Sequence, residues 1–260
     1  MHEIRDGQPQ PREAAKPEDF SDWAVITPLA NEAARFDGFV QSLAKVLDRL
    51  GSGKVYLVVD KASTDNTPEL VRNLSGRDGR FVSIWAPENR NVVDAYVRGL
   101  REAYEAGHEL IIEMDGGLSH DPRAIPMFLR VLNEGNECAF GSRFCNGGSM
   151  ADSPLLRKLV SKMGTHLSNV LLGTALFDMT SGFQGFHRAV LGRLLEYPLR
   201  SKGHFYQTEV RYLLRNTRFA EVPIHYRAPS KSISRRSLEN SISTLLYYFL
   251  RRLTFSAVSL

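Results

Sequence analysis

The segment 109–122, ELIIEMDGGLSHDP, joins an apolar run to a carboxylate, two glycines and the start of a helix. Asp115 directly follows the apolar run, and function in α/β proteins lies at the carboxyl ends of buried strands. Gly116 and Gly117 allow a backbone or a ligand to approach closely. A carboxylate in such a place accepts hydrogen bonds from hydroxyl and N–H groups and can hold a divalent cation. The segment therefore predicts a site, the alternative being a tight turn with a solvated aspartate.

A second carboxylate, Asp60, closes an earlier apolar run in the same manner. Apolar runs alternate with helical patterns, which predicts an α/β fold with a mostly parallel sheet covered on both faces. The carboxyl ends of parallel strands share one edge, so we expect Asp60 and Asp115 to face one crevice. The predicted strands are 24–29, 55–59, 81–85, 110–114 and 138–140.

The composition favours one domain, because 260 residues with 43% hydrophobic content can bury one large core and no Gly/Ser linker divides them. Residues 1–22, rich in Pro, Glu, Lys, Arg and Gln, are predicted to be a flexible tail without the apolar segment of a signal peptide. No apolar run reaches the roughly 18 residues of a spanning helix. The formal charge of +4 does not indicate a nucleic-acid partner. Two cysteines without metal or disulfide spacing fit a reducing cytosol.

Several motifs, taken in order, resemble those of family 2 glycosyltransferases. ITPLANEAARFDGFV is similar to the IPTYNE opening of that family, VVDKASTDNT to its VVDDGSTDGT block, and EMDGGLSHDP to its DxD segment. GSRFCNGG, TSGFQGFHRAVL and GHFYQTE resemble later blocks that occur together in polyprenyl-phosphate (dolichol-phosphate) mannosyl- and glucosyltransferases. The resemblance covers residues 23–234. Motifs in a fixed order are far more specific than any single one.

The resemblance implies a GT-A glycosyltransferase domain over residues 23–234. Such an enzyme moves a sugar, with inversion, from a nucleotide-diphosphate sugar such as GDP-mannose or a UDP-hexose to a polyprenyl-phosphate lipid. Mg²⁺ or Mn²⁺ would bind at Asp115 and neutralise the diphosphate. Because Gly117 occupies the place of the second acid of the DxD motif, this metal site is expected to be weakened. The implied donor-binding residues are Pro28, Asn31, Glu32, Asp60, Asp115, Gly116 and Lys231.

Basic residues of the second half fall at positions similar to those that the family uses for phosphates. Arg143, Arg157 and Lys158 are the candidates for binding the acceptor phosphate, since an arginine fork donates two hydrogen bonds at once. Arg227 and Lys231 lie in HYRAPSKSIS, which resembles a loop that folds over the donor diphosphate. The alternative for Arg157 and Lys158 is a solvated helix face. The expected catalytic residues are Asp115, Arg143 and Arg227.

Residues 181–184, SGFQ, replace the acidic base motif of relatives that act on hydroxyl acceptors. A lipid phosphate, with a second pKa of about 6, is already ionised at neutral pH and needs no base. The replacement therefore favours a phosphate acceptor. Two alternatives remain open: a soluble hydroxyl acceptor with Glu209 as base, or a protein that binds nucleotide sugar without turnover. We expect His120 to support the turn and to take no part in chemistry.

Residues 235–260 are predicted to form an amphipathic C-terminal helix. Apolar residues from Leu238 to Leu253 repeat at intervals of three and four, and arginines precede and close the repeat. Such a helix can lie in the headgroup region of a bilayer, which predicts a peripheral enzyme on the cytoplasmic membrane face. The alternative is that the helix packs on the catalytic domain or on a second copy in a homodimer.

Overall fold

The computed structural model describes residues 20, 22–227 and 235–260, with the backbone alone for residues 235–237. The strands are β1 (Trp23–Leu29), β2 (Lys54–Val59), β3 (Phe81–Trp85), β4 (Leu110–Glu113), β5 (Cys138–Ser142), β6 (Gln184–His187) and β7 (Phe219–Pro223). The helices are α1 (Phe36–Leu50), α2 (Thr67–Arg77), α3 (Val92–Glu105), α4 (Ile125–Asn133), α5 (Leu155–Leu172), α6 (Arg188–Glu196), α7 (Tyr206–Leu213) and α8 (Arg235–Leu253).

The strands form one sheet in the order β3-β2-β1-β4-β6-β5-β7. β1 pairs in parallel with both β2 and β4, and β2 pairs in parallel with β3. β6 runs antiparallel between β4 and β5, and β7 extends the far edge parallel to β5. The predicted α/β class with a mostly parallel sheet is confirmed, and β6 and β7 add to the strands that the sequence predicts.

Alternation along the strands sends side chains into two buried clusters, one on each face of the sheet. Val25 and Leu57 pack with α1 in one cluster, while Ile26 and Val58 pack with α3 in the other. Each of these helices presents an apolar stripe at helical spacing to the sheet. The loops at the carboxyl edge therefore follow strands that are buried on both faces of the sheet.

α3 is fixed at its start and along its middle. The side chain of Asn91 caps the helix by accepting two backbone N–H groups of the first turn. Gly99 permits close packing on the sheet, since a Cβ at that position would overlap the side chain of Ile26. This arrangement brings Tyr96 to the loop that follows β4, where its hydroxyl reaches Asp115.

α8 packs against α5 and against the domain. Tyr248 is fully buried in the core, and its hydroxyl donates to Glu209 over 2.6 Å. At the other end of the described chain, Phe20 is buried and the carbonyl of Asp22 accepts the backbone N–H groups of residues 109 and 110. Within the described ranges, none of the helices is long and apolar enough to cross a membrane. The domain limits 1–22, 23–234 and 235–260 stay predictions.

Candidate active site

Three neighbouring cavities lie near the carboxyl edge of the sheet. The first, of about 350 Å³, lies at the ends of β1 and β2 and the start of α3. The second, of about 190 Å³, contains Asp115, and the third is a mostly apolar groove of about 300 Å³ between α5 and α8. The first two cavities share the lining residue Val92. The last two share Arg143, Arg157, Thr180 and His204.

Pro28 and Asp60 line the first cavity. Asp60 Oδ1 accepts the backbone N–H of Ala62 over 2.8 Å, and its Oδ2 lies 3.4 Å from Nδ2 of Asn89. These contacts orient the carboxylate at the cavity wall. Because each carboxylate oxygen has two acceptor positions, Asp60 can still accept hydrogen bonds from a ligand.

Asn31 joins the loops that follow β1 and β2. Its Nδ2 donates to the carbonyl of Ala62 over 3.0 Å, and its Oδ1 accepts the backbone N–H of Thr64 over 2.9 Å. Its φ of 58° lies in the left-handed region, which asparagine adopts more readily than most residues. Asn31 therefore shapes the rim of the first cavity, although it is not among the described residues that line it.

Asp115 is held from two sides in the second cavity. The hydroxyl of Tyr96 donates to its Oδ1, and its backbone N–H donates to Nδ1 of His120 over 3.1 Å. Burial lowers the pKa of His120, which favours the neutral imidazole that can accept at Nδ1. His120 thus supports the turn, as expected. Because Tyr96 donates to Oδ1, Oδ2 keeps both of its acceptor positions for a ligand, and the side chain is 38% exposed.

A buried polar network continues from Tyr96 into the core. The ring of Tyr206 stacks on that of Tyr96 with centroids 5.5 Å apart, and its hydroxyl donates to Glu113 over 2.8 Å. Gln184 Nε2 donates to the other oxygen of Glu113 over 2.7 Å. Burial raises the pKa of Glu113 to about 8, while the hydrogen bonds from Gln184 and Tyr206 act in the opposite direction. The network fixes the ring of Tyr96 and, through it, Asp115.

Sequence reasoning missed Tyr96, Tyr206 and Glu113 as neighbours of the site. Tyr96 occupies an apolar position at helical spacing, so its pattern predicts only a core residue. The available signal was Glu113, because a glutamate inside an otherwise apolar strand needs a buried partner.

The loop after β1 shapes the two glycines that follow Asp115. A Cβ at Gly116 would overlap the side chain of Leu29, and a Cβ at Gly117 would overlap the carboxylate of Glu32. Gly117 also has a φ of 71°, in the left-handed region that favours glycine. Glu32 therefore brings its carboxylate beside the position where the DxD motif has its second acid. Among the described residues, no group of three or more acidic, histidine or cysteine side chains could hold a metal ion.

Arg143 lies at the junction of the second and third cavities and forms a buried ion pair with Asp178. Its Nε donates to Asp178 Oδ2 over 2.7 Å and its Nη2 to Asp178 Oδ1 over 2.9 Å, and Nη2 also donates to Thr180. Burial alone would raise the pKa of Asp178, but the charge and hydrogen bonds of Arg143 lower it. The guanidinium is therefore a fixed donor whose charge is balanced.

The side chains of Arg157 and Lys158 have different surroundings, although the two residues are adjacent on α5. Arg157 lines the same two cavities as Arg143, with its guanidinium carbon 5.8 Å from the centre of the Tyr226 ring. Nζ of Lys158 donates to the carbonyl of Ala151 over 3.1 Å. In the part of the chain that the structure describes, Lys158 lines none of the three cavities.

Arg227 lies beside the helix start that follows Asp115. Its Nη2 pairs with Asp121 Oδ2 over 2.7 Å, and its backbone N–H donates to the carbonyl of Ser119. Arg227 is therefore tied to the loop of the second cavity. Lys231, the other cation predicted for this region, lies outside the described residues.

Glu209 is fully buried and cannot serve as the base of the hydroxyl-acceptor alternative. Its Oε1 accepts the backbone N–H of Arg200 over 2.8 Å and the hydroxyl of Tyr248 over 2.6 Å. Its Oε2 accepts the backbone N–H of Ser201 over 2.8 Å. The carboxylate ties the loop before α7 to α8, and the alternative loses its candidate base.

Comparison with known proteins supports the resemblance seen in the motifs. The sequence model for "Glycosyl transferase family 2" matches residues 24–195. The polyprenol monophosphomannose synthase of Mycolicibacterium smegmatis is 30% identical over 187 residues, which cover 71% of this chain and 71% of that protein. The undecaprenyl-phosphate mannosyltransferase of Micrococcus luteus is 28% identical over 204 residues, which cover 78% of this chain and 82% of that protein.

Solved structures agree with the fold. Glucosyl-3-phosphoglycerate synthase from Mycobacterium tuberculosis in complex with UDP matches with a TM-score of 0.62 at 20% identity, over 86% of this chain and 79% of that chain. The same enzyme with Mg²⁺ and UDP also gives a TM-score of 0.62. At this identity the likeness shows the GT-A-like fold alone. Together with the family match, it establishes that the chain is an enzyme that belongs to the family 2 glycosyltransferases.

Proposed function

We propose that this enzyme transfers a sugar from a nucleotide-diphosphate sugar to a polyprenyl phosphate, with inversion at the anomeric carbon. The observation that carries the proposal is the apolar groove between α5 and α8, which shares Arg143, Arg157 and Thr180 with the cavity of Asp115. An isoprenoid chain needs an apolar groove, and its phosphate needs hydrogen-bond donors at the inner end. The names of two relatives support mannose as the sugar, which makes GDP-mannose the first donor to test and a UDP-hexose the second.

The first cavity suits the nucleoside of the donor. Asp60 can accept hydrogen bonds from ribose hydroxyls or base N–H groups, and Pro28 provides the adjacent wall. Asn31 acts on this cavity through the loops that it joins. Val92 lines both cavities, so the diphosphate could pass along it towards Asp115.

We assign the metal contact to Asp115, through the oxygen that Tyr96 does not engage. Mg²⁺ or Mn²⁺ bound there would neutralise the diphosphate leaving group. Because Asp115 is a single carboxylate ligand, the other ligands would come from the diphosphate and from water. Metal and nucleotide should then bind cooperatively. Structures of the mycobacterial synthase with UDP and either Mg²⁺ or Mn²⁺ support this cofactor class.

The acceptor phosphate can attack without a general base, because it is largely ionised at neutral pH. Arg143 and Arg157 would hold it where the second and third cavities join. Since Asp178 balances the charge of Arg143, this arginine serves mainly to orient the phosphate through hydrogen bonds. Alignment for in-line displacement would then supply much of the rate. Arg227 stays the candidate cation on the leaving-group side.

A soluble phosphorylated acceptor is the second candidate, because one solved enzyme that this chain matches in fold is a glucosyl-3-phosphoglycerate synthase. That reading leaves the apolar groove without a ligand. The lipid acceptor accounts for the groove, and it places the enzyme at a membrane, for which we propose the cytoplasmic face.

The test is a transfer assay with two acceptors. Purified protein is incubated with Mg²⁺, labelled GDP-mannose or UDP-glucose, and either undecaprenyl phosphate in detergent or phosphoglycerate. Label that moves into the organic phase only with the lipid acceptor supports the proposal. Transfer to phosphoglycerate alone would favour the second candidate. Donor binding by calorimetry without transfer to either acceptor would indicate a binding protein that has lost turnover.

A further inference from the structure

The burial pattern of α5 is the reverse of that of a helix on a soluble domain. Its buried residues are Thr165, Ser168 and Leu172, so the face towards the domain is mostly small and polar. The outer face carries large apolar side chains, of which Leu155 and Leu156 are 81% and 72% exposed. The set comprises Leu155, Leu156, Leu159, Val160, Met163, Leu167 and Val170.

α8 extends this exposed apolar surface. Thr244 and Tyr248 are buried against the domain, whereas the predicted apolar stripe largely points outwards. Arg252 joins the two helices by donating to the carbonyls of Val170 and Leu171 at the end of α5. The exposed residues of α8 are Leu238, Ile242, Leu246, Leu250 and Leu253. We call these residues and the set on α5 the α5–α8 face; monomeric soluble proteins rarely expose so continuous an apolar surface.

Positive charge accompanies the α5–α8 face. α5 contains Arg157, Lys158 and Lys162 and no acidic residue, while the described side chains of α8 include two arginines, Arg251 and Arg252, against one glutamate. Lys158 donates to a backbone carbonyl, and Lys162 lies 5.7 Å from the centre of the Phe144 ring. These partners are uncharged, so they leave the positive charge of both lysines in place. A second copy docked by a two-fold axis would bring like charges together, whereas anionic lipid would attract them.

We propose that the α5–α8 face docks on an anionic lipid bilayer, with both helices lying in the headgroup region. Both helices contribute residues to the face and to the groove between them, so the groove opens towards the lipid. A polyprenyl phosphate could then reach the cavity of Asp115 without leaving the membrane. This last consequence rests on the proposed function. The docking itself does not, because it needs neither donor nor turnover.

Vesicle flotation tests the docking. The wild-type protein should bind vesicles of phosphatidylcholine mixed with phosphatidylglycerol more tightly than vesicles of phosphatidylcholine alone. The triple variant Leu155→Gln, Leu159→Gln, Met163→Gln should bind the anionic vesicles at least roughly tenfold more weakly, because three apolar side chains leave the bilayer. None of these three residues lines the groove. Their exposure means that the substitutions should leave the unfolding temperature unchanged.

Matched controls test whether vesicle binding depends on the α5–α8 face or on any exposed apolar side chain. Trp85→Gln and Met127→Gln replace exposed apolar residues on β3 and α4, and vesicle binding should stay at the wild-type level. Lys162→Gln should lower binding to anionic vesicles roughly fivefold and leave binding to phosphatidylcholine unchanged. Equal vesicle binding by the wild type and the triple variant would overturn the proposal, as would the absence of binding to anionic vesicles.

Two further measurements distinguish the remaining outcomes. A dimer in sedimentation experiments that the triple variant abolishes would assign the face to a second copy and overturn membrane docking. With a short-chain, water-soluble polyprenyl phosphate, the triple variant should transfer sugar at the wild-type rate. If neither protein transfers sugar but the wild type alone binds anionic vesicles, the proposed function fails and the docking stands.

Discussion

Asp115 and its neighbours bond to one another within the protein, whereas the large apolar side chains of α5 and α8 lie in solvent. In the first region, Tyr96 donates to the carboxylate of Asp115 and His120 accepts its backbone N–H before any ligand arrives. In the second region, the described part of the chain leaves the apolar side chains uncovered. The difference teaches that the chain itself organises the surroundings of Asp115, while the α5–α8 face fits the partner proposed above. The following predictions test this contrast, from the largest expected effect to the smallest.

Asp115→Asn should reduce transfer to less than a tenth of the wild-type turnover. The substitution removes the carboxylate charge from the second cavity but keeps an oxygen that can accept from Tyr96, so the fold should persist. Steady-state transfer measures the effect, and thermal unfolding is the control. Turnover above a tenth of wild type, a loss of only about 1.4 kcal/mol, would contradict the metal assignment.

Tyr96→Phe should weaken Mn²⁺ binding in the presence of nucleoside diphosphate by roughly 10- to 100-fold, because partners that orient a metal ligand contribute on this scale. Mn²⁺ titration followed by electron paramagnetic resonance measures this affinity directly. Tyr56→Phe is the matched control. The hydroxyl of Tyr56 lies 2.9 Å from His108 Nε2, so its removal takes away a hydrogen bond that does not involve Asp115. An unchanged Mn²⁺ affinity would show that Tyr96 serves packing alone.

Asp60→Ala should weaken donor binding about tenfold or more, because it removes a charged acceptor from the first cavity. Turnover at saturating donor should change much less, since Asp60 and Asp115 line separate cavities. Calorimetry with the nucleoside diphosphate measures the affinity. Asp37→Ala, an exposed position in the first turn of α1, is the control. Equal affinities for the wild type and Asp60→Ala would contradict the placement of the nucleoside.

Gly164→Leu should raise the KM for a long-chain polyprenyl phosphate about tenfold by filling the groove between α5 and α8. A Cβ at Gly164 lies 3.8 Å from Thr180 Cγ2, so the backbone has room for the substitution. Gly76→Leu makes the same change on α2, where nothing lies within 4 Å of the added Cβ. Both variants should gain helix propensity. If they show the same KM for the lipid, the groove does not bind the acceptor chain.

Gly117→Asp restores the DxD sequence but should not tighten metal binding. The new side chain would overlap the carboxylate of Glu32 from a left-handed backbone position, at an expected cost of about 1–3 kcal/mol in stability. Thermal unfolding and Mn²⁺ titration measure the two effects. Adding Glu32→Ala should recover part of the lost stability by removing the overlap. Tighter Mn²⁺ binding by Gly117→Asp alone would show that the loop can make room.

Much of the region around Asp60 and Asp115 could be predicted from the sequence, because the apolar runs that end at these two residues report strand ends directly. β6 could not, since Gln184 and His187 give a short strand no apolar pattern. Gln184 is buried because it bonds to Glu113 on the neighbouring β4, a contact between residues far apart in the chain. Tyr96 was missed for a related reason. Helical spacing identifies Tyr96 as part of the buried face of α3, but it does not show that its hydroxyl reaches the loop after β4.

The outward face of α5 was also beyond sequence reasoning. Arg157 and Lys158 suggested a solvated or phosphate-binding helix face, and an apolar stripe looks the same whether it points into a core or out of it. Only the packing of Thr165 and Ser168 against the domain shows which way the helix is turned. On α8 the stripe was recognised, and the buried role of Tyr248 on the opposite side was not.

Glu209 makes α8 more than a surface helix, because one buried carboxylate binds both Tyr248 and the loop of residues 200 and 201. Deleting α8 would take a donor from that carboxylate, at about 1–3 kcal/mol, and remove an aromatic side chain from the core, at about 3–5 kcal/mol. Losses of this size approach the whole stability of an ordinary domain. We therefore expect α8 to unfold together with the catalytic domain in one cooperative transition, so that it is not an anchor that proteolysis could remove from an otherwise intact enzyme.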